Sequence, residues 1–433
     1  MSLATPIKIR EFQRKLYTKA KREPAYRFYL LYDKICREDI LAHAYALAKA
    51  KGGAPGVDEE SFAGIEAAGR EGWLAALRQE LSEERYQPQA VHRVMIPKAA
   101  GGQRPLGIPT IRDRVVPTAA KLIVEPILEA DLESNAYGYR PKRSAQDAVK
   151  KVHESLQQGY TEVVDADLSQ YFDTIPHAEL MQSVARRMVD GRMLHLIKMW
   201  LTAPVMEQDE KGSWRNLGSN QRGTPQGGVI SPLLANLYMN RFLKYWRQRG
   251  KGEEYRAVIV AYADDFVILT RRSPNRGAAE AARDWTQKVM SRIGLTLNQQ
   301  KTSIRDAWKE DFNFLGYTFG PRHSWWNAKP YLAARPSKKS IQRLTTGVTE
   351  MLQPREKGPW AEVRQRLNAM LQGWRNYFSY GTLSRAYQIV NHHVERRVRN
   401  FLRRRHRHAT KGTRRYPSRE IFGGLGVYRL RRV

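Results

Sequence analysis

Asp264 and Asp265 stand side by side between two apolar runs, AVIVA (257–261) and FVILT (266–270). Two adjacent carboxylates in such a setting repel each other and are costly to desolvate unless a cation joins them. A second acidic segment upstream, VVDADLSQYFD (163–173), offers Asp165, Asp167 and Asp173. Period-two alternation places Asp165 and Asp167 on one face of a strand. Carboxylates gathered from neighbouring strands hold hard divalent cations, and Mg²⁺ needs only two or three of them because waters and substrate phosphates complete its shell. Two such ions about 3.5–4 Å apart are the usual apparatus of phosphoryl and nucleotidyl transfer. Taken alone, a DD pair is ordinarily a solvated turn, so the elements around it decide.

Those elements alternate. AVIVA and FVILT read as two strands joined by the acidic turn, and TEVVDADL as a third. The segment from His92 to Thr110 alternates on both sides of Gly101–Gly102 and reads as a β-hairpin carrying Lys98 and Arg104 on adjacent strands. Asp113–Leu132 and Ala278–Ile293 have helical periodicity, and His177–Leu201 reads as two packed helices broken near Gly191. Ser144 with Asp147 three residues on is a helix N-cap, and QDEKGSWRN is a charged hairpin. The run KGGAPGVD (51–58) interrupts the N-terminal helical pattern with a loop. The fold class predicted is α+β: an antiparallel sheet with helices, then a helical region.

Charge names the class of partner. Lys and Arg number 74 against 43 Asp and Glu, a net of +31, which calls for a polyanion such as nucleic acid. No apolar run is long enough to span a bilayer, and Met1–Arg22 is too charged for a secretory signal, so no membrane partner and a cytoplasmic location are expected. Cys36, the one cysteine, allows neither an intrachain disulfide nor a cysteine-based zinc site; His392, His393, His406 and His408 form no zinc pattern.

The blocks YADD (262–265), DADLSQYFD (165–173) and GTPQGGVISPLLAN (223–236) resemble the palm of reverse transcriptases, specifically the bacterial proteins encoded by group II introns. The likeness continues, in the family's order, through GAPGVD (53–58), RVMIPKAAGGQRPLGIPTIRDR (93–114), AYGYRPKRSAQDAV (136–149) and FLGYTF (314–319). It implies a right-hand polymerase with fingers and palm, a helical thumb (the maturase domain X) and a basic C-terminal region. The boundaries expected are 1–60 for a basic helical arm and loop, 61–335 for fingers and palm, 336–395 for the thumb, and 396–433 for a nucleic-acid-binding tail. With a single cysteine and GLGVYRL near Val433, the zinc-dependent HNH endonuclease of many family members is not expected.

By that resemblance Asp167, Asp264 and Asp265 are the catalytic, metal-holding residues for two Mg²⁺ ions, with Mn²⁺ a substitute, and Asp165 supports them. Phe172 lies beneath the incoming sugar and excludes a 2′-hydroxyl. Gln226 contacts the nucleotide or template near the nascent pair, Lys98 and Arg104 grip the triphosphate, and Lys301 lies near the departing pyrophosphate as a general acid. Arg140 divides evenly between a structural ion pair and a role in the site.

Lys338, Lys339, Arg343 and Arg375 on the thumb, and Arg403, Arg404 and Arg405 in the tail, are expected to follow nucleic-acid phosphates. Removing the chain after Arg396 is therefore expected to weaken nucleic-acid binding and leave the palm intact. The function implied is an RNA-directed DNA polymerase that extends a DNA or RNA primer with dNTPs on an RNA template, and a maturase that binds a group II intron RNA, supports splicing and intron mobility, and reaches a target DNA. A host-adopted reverse transcriptase is the alternative within the same chemistry. A splicing cofactor with a decayed site is disfavoured by the intact aspartates, Gln226 and Lys301.

Overall fold

Alternating apolar residues build eleven strands among the described residues: β1 (Val91–Pro97), β2 (Gln103–Ile108), β3 (Glu162–Asp167), β4 (Pro204–Gln208), β5 (Trp214–Ser219), β6 (Ala257–Tyr262), β7 (Asp265–Thr270), β8 (Ser303–Asp306), β9 (Phe312–Phe314), β10 (Tyr317–His323) and β11 (Pro330–Pro336). The computed structural model describes residues 3–97, 102–209, 211–273, 276–324, 326–407 and 411–431. The strands form three sheets, in the orders β2-β1-β4-β5, β6-β7-β3-β8 and β11-β10-β9.

The β6-β7-β3-β8 sheet carries the acidic residues, and every pairing in it is antiparallel. Its two faces enter different cores, as period two requires. Val164, Ala166, Phe266 and Ile268 join a large core with residues of the helices Arg112–Glu129, Ser231–Gln248 and Gly277–Arg292. Val163, Val267 and Leu269 pack on the opposite face with Val149 and Val152 of the helix Ala145–Gln157 and with the β9–β11 sheet. That helix begins with the capping box read from sequence: Ser144 accepts from the Asp147 amide, and the Asp147 carboxylate accepts from the Ser144 amide.

Two expected boundaries are corrected. Residues 1–60 do not stand apart as an arm. The helices Ile7–Arg22 and Glu38–Lys51 insert Ile9, Leu16, Ile40, Leu41 and Tyr45 into the same large core, leaving mostly their basic faces outside. Buried Arg187 fastens this region, donating to the carbonyls of Ala20, Pro24 and Tyr26 and pairing with Asp131 at 3.1 Å. Nor does a tail begin at 396. The helix Ser384–Arg405 runs through that position and buries Val390, Val394, Val398, Phe401 and Leu402 against the helices Lys338–Met351 and Trp360–Tyr377. Tyr416, Ile421, Val427 and Leu430 close the same core. The apolar stripe is spaced as a helix requires and lies among arginines that face outward.

Candidate active site

β3 ends at Asp167 and β7 begins at Asp265, and the two are direct partners in the ladder, so their side chains leave the sheet on one face. Asp165 shares that face two residues deeper, opposite Val267. Asp264 occupies the two-residue loop between Tyr262 and Asp265, where Ala263 takes a left-handed φ of 58°. A β-carbon disfavours that conformation, and strain of this kind is held in place only by its surroundings. Part of the restraint comes from the AYGYRP segment, which adds to the β6 edge through Tyr137 N–H to the Ala261 carbonyl at 2.8 Å. Gly138 makes the approach possible, since a β-carbon there would lie 2.5 Å from the Ala263 nitrogen.

Asp167 and Asp264 face an open cleft of about 1700 Å³ whose wall also includes Arg104, Phe172, Gln226 and Lys301. Lys98 lies outside the described residues. Asp265 is oriented toward the Leu315–Tyr377 side of the sheet, where it meets the Leu315 backbone. Among the described residues no three His, Cys, Asp or Glu side chains are gathered closely enough to hold a metal ion by themselves. Asp167 and Asp264 share the cleft wall, and a hard cation held by so few carboxylates draws its other ligands from water and phosphate oxygens.

The electrostatics favour a cation. Desolvation pushes the Asp265 carboxyl up to about 7, with the carboxylates of Asp165, Asp264 and Asp167 adding to the rise. Asp265 keeps surface open to solvent, but protein and three carboxylates crowd it closely enough to set that direction. Asp165 is raised to about 6 by desolvation, opposed by Arg305 and reinforced by Asp167, and Asp264 is raised by desolvation and by Asp167. Each of these groups holds its proton more tightly folded than unfolded, so its contribution to stability is lost as pH rises from the unfolded value of about 4 through the folded one, about 6 for Asp165 and about 7 for Asp265. In cation-free buffer, Asp265→Asn is expected to gain melting temperature relative to wild type on going from pH 5 to pH 8. Thermal melts at the two pH values check this, and an unchanged difference would contradict it.

Lys301 reaches the site from a turn joined to the end of β3. Asn298 N–H donates to the Asp167 carbonyl at 2.8 Å, and Ser169 N–H to the Thr296 carbonyl at 2.9 Å. The Lys301 Nζ lies 3.4 Å from Asp167 Oδ2, both side chains largely exposed, so the pair itself adds little stability. Gln226 is held by Asp173, to which its Nε2 donates at 3.2–3.3 Å. Phe172 sits on the short helix Tyr171–Thr174, beyond the end of β3, because Gln170 turns the chain with a φ of 48°. Tyr171 faces inward and donates to the Ala235 carbonyl at 2.6 Å, while the Phe172 ring lines the cleft.

Arg140 lines the cleft and also serves as a structural partner. Buried, it forms a fork with Glu129 at 2.6–3.1 Å and donates to the carbonyls of Glu133 and Ala136. The sequence reading passed over Asp173 as the anchor of Gln226, and over Lys51, Arg114 and Lys121, which bring further positive charge to the cleft wall. Arg114 also donates to the carbonyls of Gly52, Ala54 and Pro109, tying the KGGAPG loop to the cleft. In the C-terminal helices Lys338, Lys339 and Arg343 are exposed, Arg375 and Arg403 are half-buried, and Arg404 is exposed. Arg405 donates to the Gly358 and Lys357 carbonyls, so part of its role is to hold a turn.

Residues 96–319, just over half of the chain, match the reverse transcriptase (RNA-dependent DNA polymerase) family, and residues 341–418 match the group II intron maturase-specific domain. The chain belongs to the reverse transcriptases. It is 35% identical over 366 residues to protein YkfC of Escherichia coli K12, covering 77% of this chain and 93% of YkfC. It is 33% identical over 392 residues to the group II intron-encoded protein LtrA of Lactococcus lactis subsp. cremoris, covering 76% of this chain and 61% of LtrA. A telomerase chain from Candida albicans, solved with a fragment of telomeric RNA, aligns over 84% of this chain and 70% of its own at 12% identity and a TM-score of 0.43. In the terms of this family, β1, β2, β4 and β5 are fingers, β6-β7-β3-β8 is the palm sheet and the three C-terminal helices are the thumb. Reverse transcriptases work with divalent metal ions. No helix among the described residues is long and apolar enough to cross a membrane.

Proposed function

We propose that this reverse transcriptase extends a DNA or RNA primer with dNTPs on an RNA template in the cytoplasm, with two Mg²⁺ ions, or Mn²⁺ in their place, held by Asp167, Asp264 and Asp265. The observation that carries this reading is that Asp167 and Asp264 line the cleft at one end of the palm sheet, with Asp265 beside them as the ladder partner of Asp167, and that burial and neighbouring carboxylates weaken the acidity of Asp264 and Asp265. When bound, the ions supply the positive charge that activates the primer 3′-hydroxyl and neutralises the leaving pyrophosphate. The chain's own residues do the rest. Arg104 and Lys98 grip the triphosphate, Gln226, steadied by Asp173, contacts the nascent pair, and Lys301 delivers a proton to the departing pyrophosphate.

The maturase-specific domain extends the reading to a structured partner. The thumb binds a group II intron RNA through Lys338, Lys339, Arg343, Arg375, Arg403, Arg404 and Arg405, supporting splicing and carrying the intron to a target DNA. Phosphate contacts of this kind fix position without reading sequence.

Phe172 tests the nucleotide assignment. Its ring lines the cleft from a helix whose neighbour Tyr171 is locked in the core, so truncating it opens space without moving the helix. Phe172→Ala is expected to reduce the preference for dNTP over rNTP by roughly 10- to 200-fold, the range for one apolar group in a pocket. The measurement is kcat/KM for a single dNTP and its rNTP on an RNA template. Undiminished discrimination would overturn the assignment.

A further inference from the structure

The chain that follows the palm helix Gly277–Arg292 comes back to the end of β3 and closes on it. Leu168 and Leu297, both buried, pair there in an isolated antiparallel bridge. Past that bridge Asn298 turns the chain. Its carbonyl accepts from the amides of Lys301 at 3.2 Å and Thr302 at 2.8 Å. Its side-chain Oδ1 accepts from the amides of Gln300 at 3.1 Å and Lys301 at 3.3 Å. Its own N–H donates to the Asp167 carbonyl at 2.8 Å. Asparagine suits such a turn because its short side chain stands in for a backbone acceptor. A turn that only closed a loop would need the bonds to residues 300–302; the bond to Asp167 ties this one to the candidate metal site. Asn298 is half-buried in the cleft wall that also includes Asp167 and Lys301.

Lys301 depends on that turn for its place. Its side chain is long, flexible and 67% exposed, and its ion pair with Asp167 at 3.4 Å is too open to water to hold it. The reach of Nζ is therefore set by the backbone from which it starts. We propose that Asn298 is a positioning residue for the polymerase reaction: by binding the Asp167 carbonyl and the Lys301 amide together, it fixes the ammonium of Lys301 relative to the carboxylate of Asp167. The inference rests on the reading of Lys301 as the general acid. In the step served, the primer 3′-oxygen, its proton given to water, bonds to the α-phosphorus of the dNTP, and the bond from that phosphorus to the pyrophosphate oxygen breaks. The proton of Lys301 passes to that oxygen, and the neutral amine regains one from water.

The test is single-turnover addition of one dNTP by the full chain bound to an RNA template and DNA primer, with dNTP concentration varied to separate maximal rate from dNTP affinity. Asn298→Ala is expected to lower the maximal rate roughly tenfold, within the 10²-fold that a 1 Å misplacement costs, and to change dNTP affinity less than twofold. Asn298→Ser, whose hydroxyl can accept the same amide bonds, is expected to lose no more than about threefold. Lys301→Ala is expected to lose about 10²-fold or more, and Asn298→Ala added to it less than a further twofold. An Asn298→Ala rate within twofold of wild type, a serine variant as slow as the alanine one, or an undiminished Asn298→Ala loss in the Lys301→Ala background would overturn the proposal while the reading of Lys301 stands. A Lys301→Ala variant as fast as wild type would overturn both.

Discussion

Asp264→Asn lowers single-turnover primer extension on an RNA template by on the order of 10³-fold or more, a barrier rise of about 4 kcal/mol at 1.36 kcal/mol per decade. The substitution keeps the shape of the side chain and removes its charge. Asp264 lies on the cleft wall at a turn whose conformation Gly138 and the AYGYRP segment enforce, so the amide stays where the carboxylate was. Because desolvation and Asp167 already make the charged form unfavourable there, the variant is expected to melt no lower than wild type in cation-free buffer. RNA affinity, which rests on cations elsewhere, is expected to be unchanged. Extension within tenfold of wild type would remove Asp264 from the catalytic set.

Ending the chain at Arg396 is expected to unfold the thumb, a larger effect than the loss of a basic tail. The truncation removes Val398, Phe401, Leu402, Tyr416, Ile421, Val427 and Leu430, all buried in the thumb core. At about 1.5–3 kcal/mol for each buried side chain, these seven contribute roughly 10–20 kcal/mol as an upper estimate. Whole domains are stable by only about 5–15 kcal/mol. The cut also deletes paired side-chain bonds, from Asn391 to Leu430 at 2.9–3.0 Å and from Asn368 to Gly426 and Tyr428 at 2.7–2.9 Å. Limited proteolysis is expected to degrade residues 338–396 while the palm resists, with primer–template affinity lost along with the thumb. A protected thumb with nothing altered but a shallower salt dependence would show that the tail acts as a separate basic segment.

The sequence was most legible where short-range pattern and chemistry coincide. Strand alternation around Asp167 and Asp264, the turn between AVIVA and FVILT, the Ser144 cap and the paired helices before Leu201 depend on neighbours within a few residues, and the structure has each of them. Contacts between distant segments were not legible. The hydrogen bond between Asp173 and Gln226 joins residues 53 positions apart, and Arg114 meets the KGGAPG loop across 60 or more. The helix that carries Phe172 depends on one left-handed residue, Gln170, which alternation cannot register. The two misplaced boundaries share a cause. High arginine and lysine density at both ends draws attention to charge, whereas Ile9, Leu16 and Ala20, and Val390, Val394, Val398 and Phe401, lie at helical spacings beneath it.

The most direct test of the central claim starts with the full chain bound to an RNA template and DNA primer in chelator, supplied with only the next dNTP. Mg²⁺ is then added and the primer followed at single-nucleotide resolution. The account predicts no product in chelator and extension by one nucleotide on addition of Mg²⁺. Extension that proceeds in chelator, or a folded, template-bound chain that adds nothing after Mg²⁺ or Mn²⁺, would contradict it.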